Sequence, residues 1–176
     1  MIETAIRPAR AGDAGAIDRL LGAAFGGPDE GALVAGLRAD GDVLVELVAL
    51  RDDEIVGQIL FSPLVIGSGP QATIAAALAP VAVLPAHQRA RVGTRLVEAG
   101  LSALRARACP AAVVLGHPDW YPRFGFSAAL SARLVAPFHG PAFMALELVP
   151  GALAAGGPVR YARAFGLVPS QEEPAR

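Results

Sequence analysis

The chain contains 176 residues, of which 53% are hydrophobic and 18% are charged, and its formal net charge is −1. This length suits one domain, which can bury a core without help from disulfides or a metal. Cys109 is the only cysteine, so an internal disulfide and a cysteine-rich metal site are excluded. All 15 basic residues are arginines, and the balanced charge argues against a protein that coats nucleic acid, although not against one that binds a small anion.

Two further features bear on location. The longest apolar run, Ile74 to Leu84, is interrupted by Pro80 and is far shorter than the roughly 20 residues that a membrane helix needs. Near the N-terminus, Glu3 stands where a signal peptide would carry basic residues. We therefore expect a soluble cytoplasmic protein with no membrane partner.

The first predicted elements are a short strand and two helices. Glu3 to Arg7 is typical of a strand, and Ala11-Gly12-Asp13 is typical of a helix start. The following residues place Ile17, Leu20, Leu21 and Ala24 on one face of a first helix. Gly26 to Asp29 breaks that helix. Leu33, Val34 and Leu37 support a second short helix, which is expected to end near Gly41.

A three-stranded meander follows the helices. Val43 to Leu50 and Ile55 to Ile66 are rich in β-formers, and the polar residues 51–54 between them favour an antiparallel hairpin. The third run, Thr73 to Leu84, carries Pro80 in its middle. Because proline removes a ladder donor, we expect the neighbouring strand to splay away at this point.

The segment Gln88-Arg89-Ala90-Arg91-Val92-Gly93-Thr94, which we refer to as the anion turn, joins the third run directly to an amphipathic helix. The apolar face of this helix comprises Val97, Leu101, Leu104 and Ala108, and the polar face comprises Arg91, Arg95, Glu98, Ser102 and Arg105. A helix start leaves its first N–H groups without partners and carries partial positive charge. The anion turn is therefore predicted to bind a phosphate or pyrophosphate.

Beyond the helix, Ala111 to Leu115 reads as a buried strand. The next segment, residues 116–126, is unusually aromatic for a loop. Phe143 to Val149 and Val159 to Phe165 are expected to add final strands, and residues 168–176 to form a flexible tail. Val159, Tyr161 and Phe165 alternate with polar positions, a pattern that leaves a homodimer through the final strands open.

This order of elements resembles the GNAT superfamily of acyl-CoA-dependent N-acetyltransferases. The resemblance rests on residues 78–85 followed by 88–93, which are similar to the cofactor motif of the family. It also rests on Leu115-Gly116-His117-Pro118 with Tyr121-Pro122-Arg123-Phe124-Gly125-Phe126, a motif similar to that of a bacterial subgroup of predicted acetyltransferases. It implies an α/β fold with a mixed, splayed central sheet flanked by helices. Residues 1–150 would form the acetyltransferase domain, and residues 151–167 a C-terminal extension of it.

The resemblance also implies a cofactor site for acetyl-CoA, the acyl donor, without a metal. The pantetheine arm would bond to the main chain around Val81, Ala82 and Val83 as a missing strand would. The pyrophosphate would lie on the amides of the anion turn, that is Gln88, Arg89, Ala90, Arg91, Val92, Gly93 and Thr94.

Arg91 departs from the family turn, which usually has a glycine there. If the position needs positive φ, an arginine is strained. Alternatively, Arg91 has ordinary helical backbone and folds its guanidinium over a phosphate.

The resemblance assigns Tyr121 the role of protonating the departing CoA thiolate, because a neutral phenol can donate to developing charge on sulfur. The other reading is a core tyrosine among Trp120, Phe124 and Phe126. No acidic residue lies between Thr73 and Leu84, so the strand-borne base found in many family members has no counterpart. His117 is the candidate base, since histidine titrates near neutrality, or it structures the turn before Pro118.

Asp119 and Glu46 are fallback bases, and His87 is assigned to the cofactor turn.

The acceptor would be a primary amine of a small molecule, peptide or protein. We expect it near a loop from Phe25 to Glu30, where Asp29 and Glu30 would attract a cation. Trp120 would form a wall of the acceptor pocket or, equally, belong to the aromatic packing. Two other functions compete with the enzyme: a non-catalytic acyl-CoA binding module, and a nucleotide-binding α/β protein. The chain lacks both a P-loop lysine and a full Gly-x-Gly-x-x-Gly, which argues against the nucleotide-binding protein.

Overall fold

The computed structural model describes residues 4–167 of the chain. These residues form two compact units, which we call the first unit (residues 4–62 and 78–108) and the second unit (residues 63–77 and 109–167). The strands are β1 (Ala5–Pro8), β2 (Val45–Arg51), β3 (Glu54–Ile66), β4 (Thr73–Val83), β5 (Ala111–Leu115), β6 (Leu134–Val135), β7 (Phe143–Glu147) and β8 (Gly157–Tyr161). The helices are α1 (Ala14–Phe25), α2 (Asp29–Asp40), α3 (Val92–Ala106) and α4 (Ala128–Ser131). The prediction for residues 168–176 lies outside the described residues.

The strands follow the order β1-β2-β3-β4-β5-β7, and β8 pairs with both β3 and β6. β1, β2 and β3 are antiparallel neighbours, β5 and β7 pair antiparallel, and β6 pairs parallel with β8. The predicted fold class, an α/β fold with a mixed sheet flanked by helices, is therefore confirmed. Within residues 4–167, no helix combines the length and apolar character needed to cross a membrane.

The predicted hairpin lies in the first unit. β2 and β3 pair from Val45 opposite Phe61 to Arg51 opposite Glu54. Asp52 and Asp53 join them with φ values of 49° and 63°, the left-handed pair that a tight two-residue hairpin requires and that aspartate tolerates.

Helices α1 and α2 pack against each other in the first unit. Their apolar stripes are buried as predicted and include Ile17, Leu20, Leu21, Val34 and Leu37. One detail of the prediction is wrong: Asp29 and Glu30 do not lie in a loop but in the first turn of α2. Acidic residues favour that place because the helix N-terminus carries partial positive charge.

Helix α3 packs on the face of β3 that carries Gly57 and Phe61. A β-carbon at Gly57 would meet Leu96 Cδ1 at 2.9 Å and Val92 Cγ1 at 3.0 Å, so the glycine permits close contact between strand and helix. The predicted apolar stripe is buried at Val97, Leu101 and Leu104, but α3 ends at Ala106. Ala108 lies beyond the helix with φ 55°, so its assignment to the helical face is wrong.

The second unit has its own apolar core. Its members come from β3, β4, β5, β7 and β8 and include Leu64, Ala77, Val113, Phe143 and Val159. The final strands are shorter than predicted, because β7 ends at Glu147 and β8 ends at Tyr161. The Glu147 carboxylate accepts hydrogen bonds from the Gly151 and Leu153 amides, which turns the chain after β7. Phe165 lies in a short 3₁₀ helix after β8.

Candidate functional site

The end of β4 turns part of its main chain away from β3. The Leu84 N–H donates to the Val56 carbonyl of β3 at 2.9 Å. Because successive backbone groups of a strand point to opposite sides, the N–H and C=O groups of Val83 and Val81 point away from β3. This is the orientation that strand-like binding of an extended ligand to these residues requires.

Beyond β4, a 3₁₀ helix of Pro85 to His87 leads into the anion turn, where two arginines have left-handed backbone. Arg89 has φ 60° and Arg91 has φ 62°, and Ala90 between them is exposed. The alternative in which Arg91 has ordinary helical backbone is therefore wrong. A residue with a β-carbon is strained in this region by about 1–2 kcal/mol, which explains why glycine is usual there.

Helix α3 begins without a cap of its own. Its first backbone bond runs from the Arg95 N–H to the Arg91 carbonyl at 3.0 Å, so the N–H groups of Val92, Gly93 and Thr94 have no intrahelical acceptor. The side chain of the N-cap residue Arg91 has only donor groups and cannot cap these amides, and the first turn of α3 holds no acidic residue. Unpartnered amides beside exposed Arg89, Arg91 and Arg95 make a site that fits an anion.

Two side chains tie the anion turn to its surroundings. Gln88 Nε2 donates to the Val83 carbonyl at 3.2 Å. Arg51, at the end of β2, donates through one terminal guanidinium nitrogen to the Ala90 carbonyl at 3.3 Å and through Nε to Thr4 Oγ1 at 2.8 Å. Arg51 is not among the site residues predicted from the sequence, because its position indicates only a polar hairpin turn.

Tyr121, in the second unit, is packed on several sides. Its ring meets Trp120 at 4.8 Å and Phe126 at 5.8 Å between centroids, both edge-on. A β-carbon at Gly116 would collide with the Tyr121 ring, so that glycine makes room for the phenol. Only 5% of Tyr121 is exposed.

Burial raises the pKa of Tyr121 to about 12, because the phenolate would be poorly solvated. Among the described residues, the Tyr121 hydroxyl has no hydrogen-bonding partner. The side chain is thus a neutral donor throughout the physiological range.

The turn before Tyr121 is built on the backbone of His117. The His117 carbonyl accepts from the Trp120 and Tyr121 amides at 3.0 and 3.3 Å, and the His117 side chain is exposed. Trp120 is half-buried and is held by Arg123, whose Nε donates to the Trp120 carbonyl and whose guanidinium lies 5.8 Å from the ring centroid. His117 therefore structures this turn through its main chain, which leaves its imidazole available for other contacts.

The fallback bases have different surroundings. Arg38 holds the Glu46 carboxylate through two bonds of 2.6 and 3.0 Å, and Gln58 Nε2 donates to it at 3.1 Å. Both oxygens of this carboxylate thus accept hydrogen bonds from neighbouring side chains. Asp119 is exposed.

Burial raises the pKa of the Cys109 thiol, as expected for a cysteine that acts as a small apolar side chain.

The predicted site residues fall into three groups. Val81 to Val83 and the anion turn adjoin each other in the first unit. Phe25 ends α1, with 46% of its surface exposed, and Asp29 and Glu30 begin α2, also in the first unit. His117, Trp120 and Tyr121 share one turn of the second unit. Residues 4–167 contain no group of three or more His, Cys, Asp or Glu side chains arranged to hold a metal.

Comparison with known proteins shows relatives along most of the chain. The family described as "Acetyltransferase (GNAT) domain" matches residues 5–129. The uncharacterized N-acetyltransferase YjhQ of Escherichia coli strain K12 is 38% identical over 105 residues, which are 58% of this chain and 58% of YjhQ. The uncharacterized N-acetyltransferase YhbS of the same strain is 36% identical over 118 residues, which are 66% of this chain and 70% of YhbS.

Two solved structures extend the likeness to nearly the whole chain. The Escherichia coli YhbS structure in complex with CoA has a TM-score of 0.86 and 33% identity, covering 95% of this chain and 94% of that one. A GNAT family acetyltransferase from Brucella melitensis in complex with acetyl-CoA has a TM-score of 0.78 and 33% identity, covering 94% and 99%. The fold is thus the GNAT fold, and the chain belongs to the GNAT acetyltransferase family.

Proposed function

We propose that this protein is an N-acetyltransferase that transfers the acetyl group of acetyl-CoA to a primary amine. The observation that carries the proposal is the uncapped, acid-free start of α3 beside exposed arginines. Relatives whose structures are described as complexes with CoA or acetyl-CoA support the same donor. The names of YjhQ and YhbS favour turnover over a non-catalytic binding module.

In this proposal the donor binds along the first unit. The pyrophosphate lies on the free amides at the start of α3, and Arg89 and Arg91 add positive charge at its rim. The pantetheine arm bonds to the main chain of Val81 and Val83, whose groups point away from β3. A main-chain amide in this stretch polarises the thioester carbonyl.

The chemistry is a direct acyl transfer. The neutral amine attacks the thioester carbonyl carbon, a C–N bond forms, and the C–S bond breaks without a covalent enzyme intermediate. Tyr121 supplies the proton that converts the departing thiolate into the CoA thiol. His117 is proposed to take the proton that the attacking nitrogen loses, since an imidazole accepts protons near neutral pH.

The motif from Gly116 to Phe126 is proposed to mark the bacterial subgroup that the sequence resembles. In this reading Gly116 is needed because it leaves space for the Tyr121 ring. Replacing Gly116 with alanine should therefore displace Tyr121 and reduce turnover.

The acceptor is proposed to bind near Phe25 and the first turn of α2. Asp29 and Glu30 place two carboxylates there, which favours a cationic amine over a neutral or acidic acceptor. Asp29→Asn with Glu30→Gln should raise the KM for the acceptor and leave the KM for acetyl-CoA unchanged. An unchanged acceptor KM would remove this placement.

Thiol release from acetyl-CoA, measured against a panel of polyamines, amino sugars, peptides and lysine-rich proteins, tests the function. The chain contains no lysine, so lysine acetylation detected by mass spectrometry reports the acceptor and not the enzyme itself. Amine-dependent thiol release would support the enzyme. Donor binding without release for any amine class would instead support the non-catalytic module.

A further inference from the structure

The anion turn holds a strained conformation that something else in the fold must maintain. Arg89 and Arg91 both have left-handed backbone, with Ala90 between them. Such strain persists only where surrounding contacts determine the conformation. In α3 itself, the bond from the Arg95 N–H to the Arg91 carbonyl fixes the helix start but not the preceding peptide plane.

That peptide plane is held by Arg51. The peptide between Ala90 and Arg91 is planar, so its C=O and N–H point in opposite directions. The Ala90 carbonyl accepts a bond from the Arg51 guanidinium at 3.3 Å, which turns the Arg91 N–H away from Arg51. If the plane rotated by half a turn, the φ of Arg91 would leave the strained left-handed region, and the two groups of the peptide would exchange sides.

Arg51 is itself anchored. Its Nε donates to Thr4 Oγ1 at 2.8 Å, and only 3% of Thr4 is exposed. The two bonds use different nitrogens of one planar guanidinium, so the orientation of the group is defined from both ends. A connected series of Thr4, Arg51 and Ala90 thus joins the start of β1 and the end of β2 to the anion turn.

We propose that Arg51 is a positioning residue for the acyl donor, which acts by fixing the Ala90–Arg91 peptide so that amide N–H groups, and not a carbonyl oxygen, face the phosphates. This inference rests on the proposed function, because the ligand is the pyrophosphate of acetyl-CoA. Arg51 does not contact the phosphates in this role. It supports the turn from the side opposite the ligand.

Two simpler roles give different expectations. If Arg51 only attracts phosphate by its charge, lysine should replace it and its effect should weaken in concentrated salt. If Arg51 only stabilises the fold, its loss should lower the melting temperature without changing donor affinity. The positioning role needs the forked guanidinium and the Thr4 hydroxyl, and it acts on affinity at any salt concentration.

The test is calorimetric titration of acetyl-CoA into the 176-residue protein and its variants, at about 0.05 and 0.5 M salt, with melting temperatures measured alongside. Arg51→Met and Arg51→Lys should each raise Kd by about ten-fold, the loss expected for one hydrogen bond that orients a charged ligand. Thr4→Val should raise it by about three-fold, and Thr4→Ser, which keeps the hydroxyl, should restore it. KM for acetyl-CoA should rise with Kd while kcat at saturation stays the same.

Arg7→Met is the matched control, because Arg7 is an arginine of the neighbouring strand β1 that pairs with Asp13 and not with the anion turn. It should leave Kd unchanged even if it lowers the melting temperature. Wild-type Kd in folded Arg51→Met, or in Thr4→Val if the first variant does not fold, would overturn the inference. A wild-type Kd in Arg51→Lys would also overturn the inference. A wild-type protein that binds no acetyl-CoA would defeat the proposed function as well, whereas the other contrary results leave that function standing.

Discussion

Gly100 of α3 lies against the ring of Phe61 in β3, at a place where a side chain would not fit. A β-carbon at position 100 would stand 2.5 Å from Phe61 Cε2. Phe61 is fully buried and lies on the same face of β3 as Gly57, which also makes close contact with α3. These two glycines set the distance of α3 from the strand and therefore the position of the anion turn at its start.

Gly100→Ala should lower the free energy of unfolding by about 1–3 kcal/mol, because the Phe61 ring or the helix must move. The matched control is Gly22→Ala in α1, where a β-carbon would meet nothing within 4 Å. That control should raise stability by about 0.5–1 kcal/mol through helix propensity alone. Urea unfolding measures both. Equal stabilisation by both changes would show that α3 and β3 are not in close contact at Phe61.

Arg91→Gly should stabilise the folded chain slightly, by up to about 1 kcal/mol, because glycine adopts positive φ without the strain of a β-carbon. Arg95→Gly is the control, since Arg95 lies within α3, where glycine costs about 1 kcal/mol. Thermal or urea unfolding of the two variants should therefore shift in opposite directions. A loss of stability in both would mean that the Arg91 side chain, not its backbone, dominates its contribution to the fold.

Stability should fall in acid through Asp13. The Arg7 guanidinium, at 2.7 Å, and the Arg10 amide lower the pKa of Asp13 to about 2. A depressed pKa means that the contribution is fully present above the ordinary carboxyl pKa of about 4 and is lost as pH falls towards 2. Asp13→Asn and Arg7→Met change the net charge in opposite directions, yet both should flatten this part of the pH dependence in urea unfolding. If stability fell with acid as steeply in both variants as in the wild-type protein, the assignment of this pH dependence to Asp13 would be contradicted.

Tyr121→Phe should reduce kcat by about 100-fold or more, with little change in acetyl-CoA affinity, because it removes only the proton donated to the thiolate. Tyr161→Phe is the matched control: Tyr161 is the other tyrosine, and burial raises its pKa too, but it packs among Phe138 and Phe165.

With a pKa of about 12, Tyr121 should add no alkaline limb to the kcat profile between pH 7 and about 10. Equal losses of kcat in the two variants would assign Tyr121 to packing alone.

Local patterns predicted most of the fold well. The start of α3, the strand Ala111 to Leu115 and the hairpin after Val45 depend on periodicity and turn residues that lie next to one another in the chain. Errors arose at element ends. Asp29 and Glu30 were assigned to a loop because a proline and glycines precede them, although acids at that place are a common signature of a helix start.

The support of the anion turn was not predictable in the same way. Arg51 lies 47 residues from Thr4 and 39 from Ala90, and no periodicity links positions that far apart. The sequence leaves the conformation of Arg91 open, because arginine is an unfavourable residue for positive φ and its identity argues against the backbone that it adopts. The one signal of positive φ in the sequence is that position 91 is usually a glycine in the family turn.

The most direct test of the account is calorimetric titration of acetyl-CoA into the wild-type protein, Gly93→Asp and Gly93→Asn. Gly93 lies in the first turn of α3, where an aspartate favours the helix but would repel a phosphate. We expect wild-type binding in the micromolar range, a weaker but measurable affinity for Gly93→Asn, and no binding by a folded Gly93→Asp. Wild-type affinity in the aspartate variant, or no binding by the wild-type protein, would contradict the assignment of the anion turn to the pyrophosphate of acetyl-CoA.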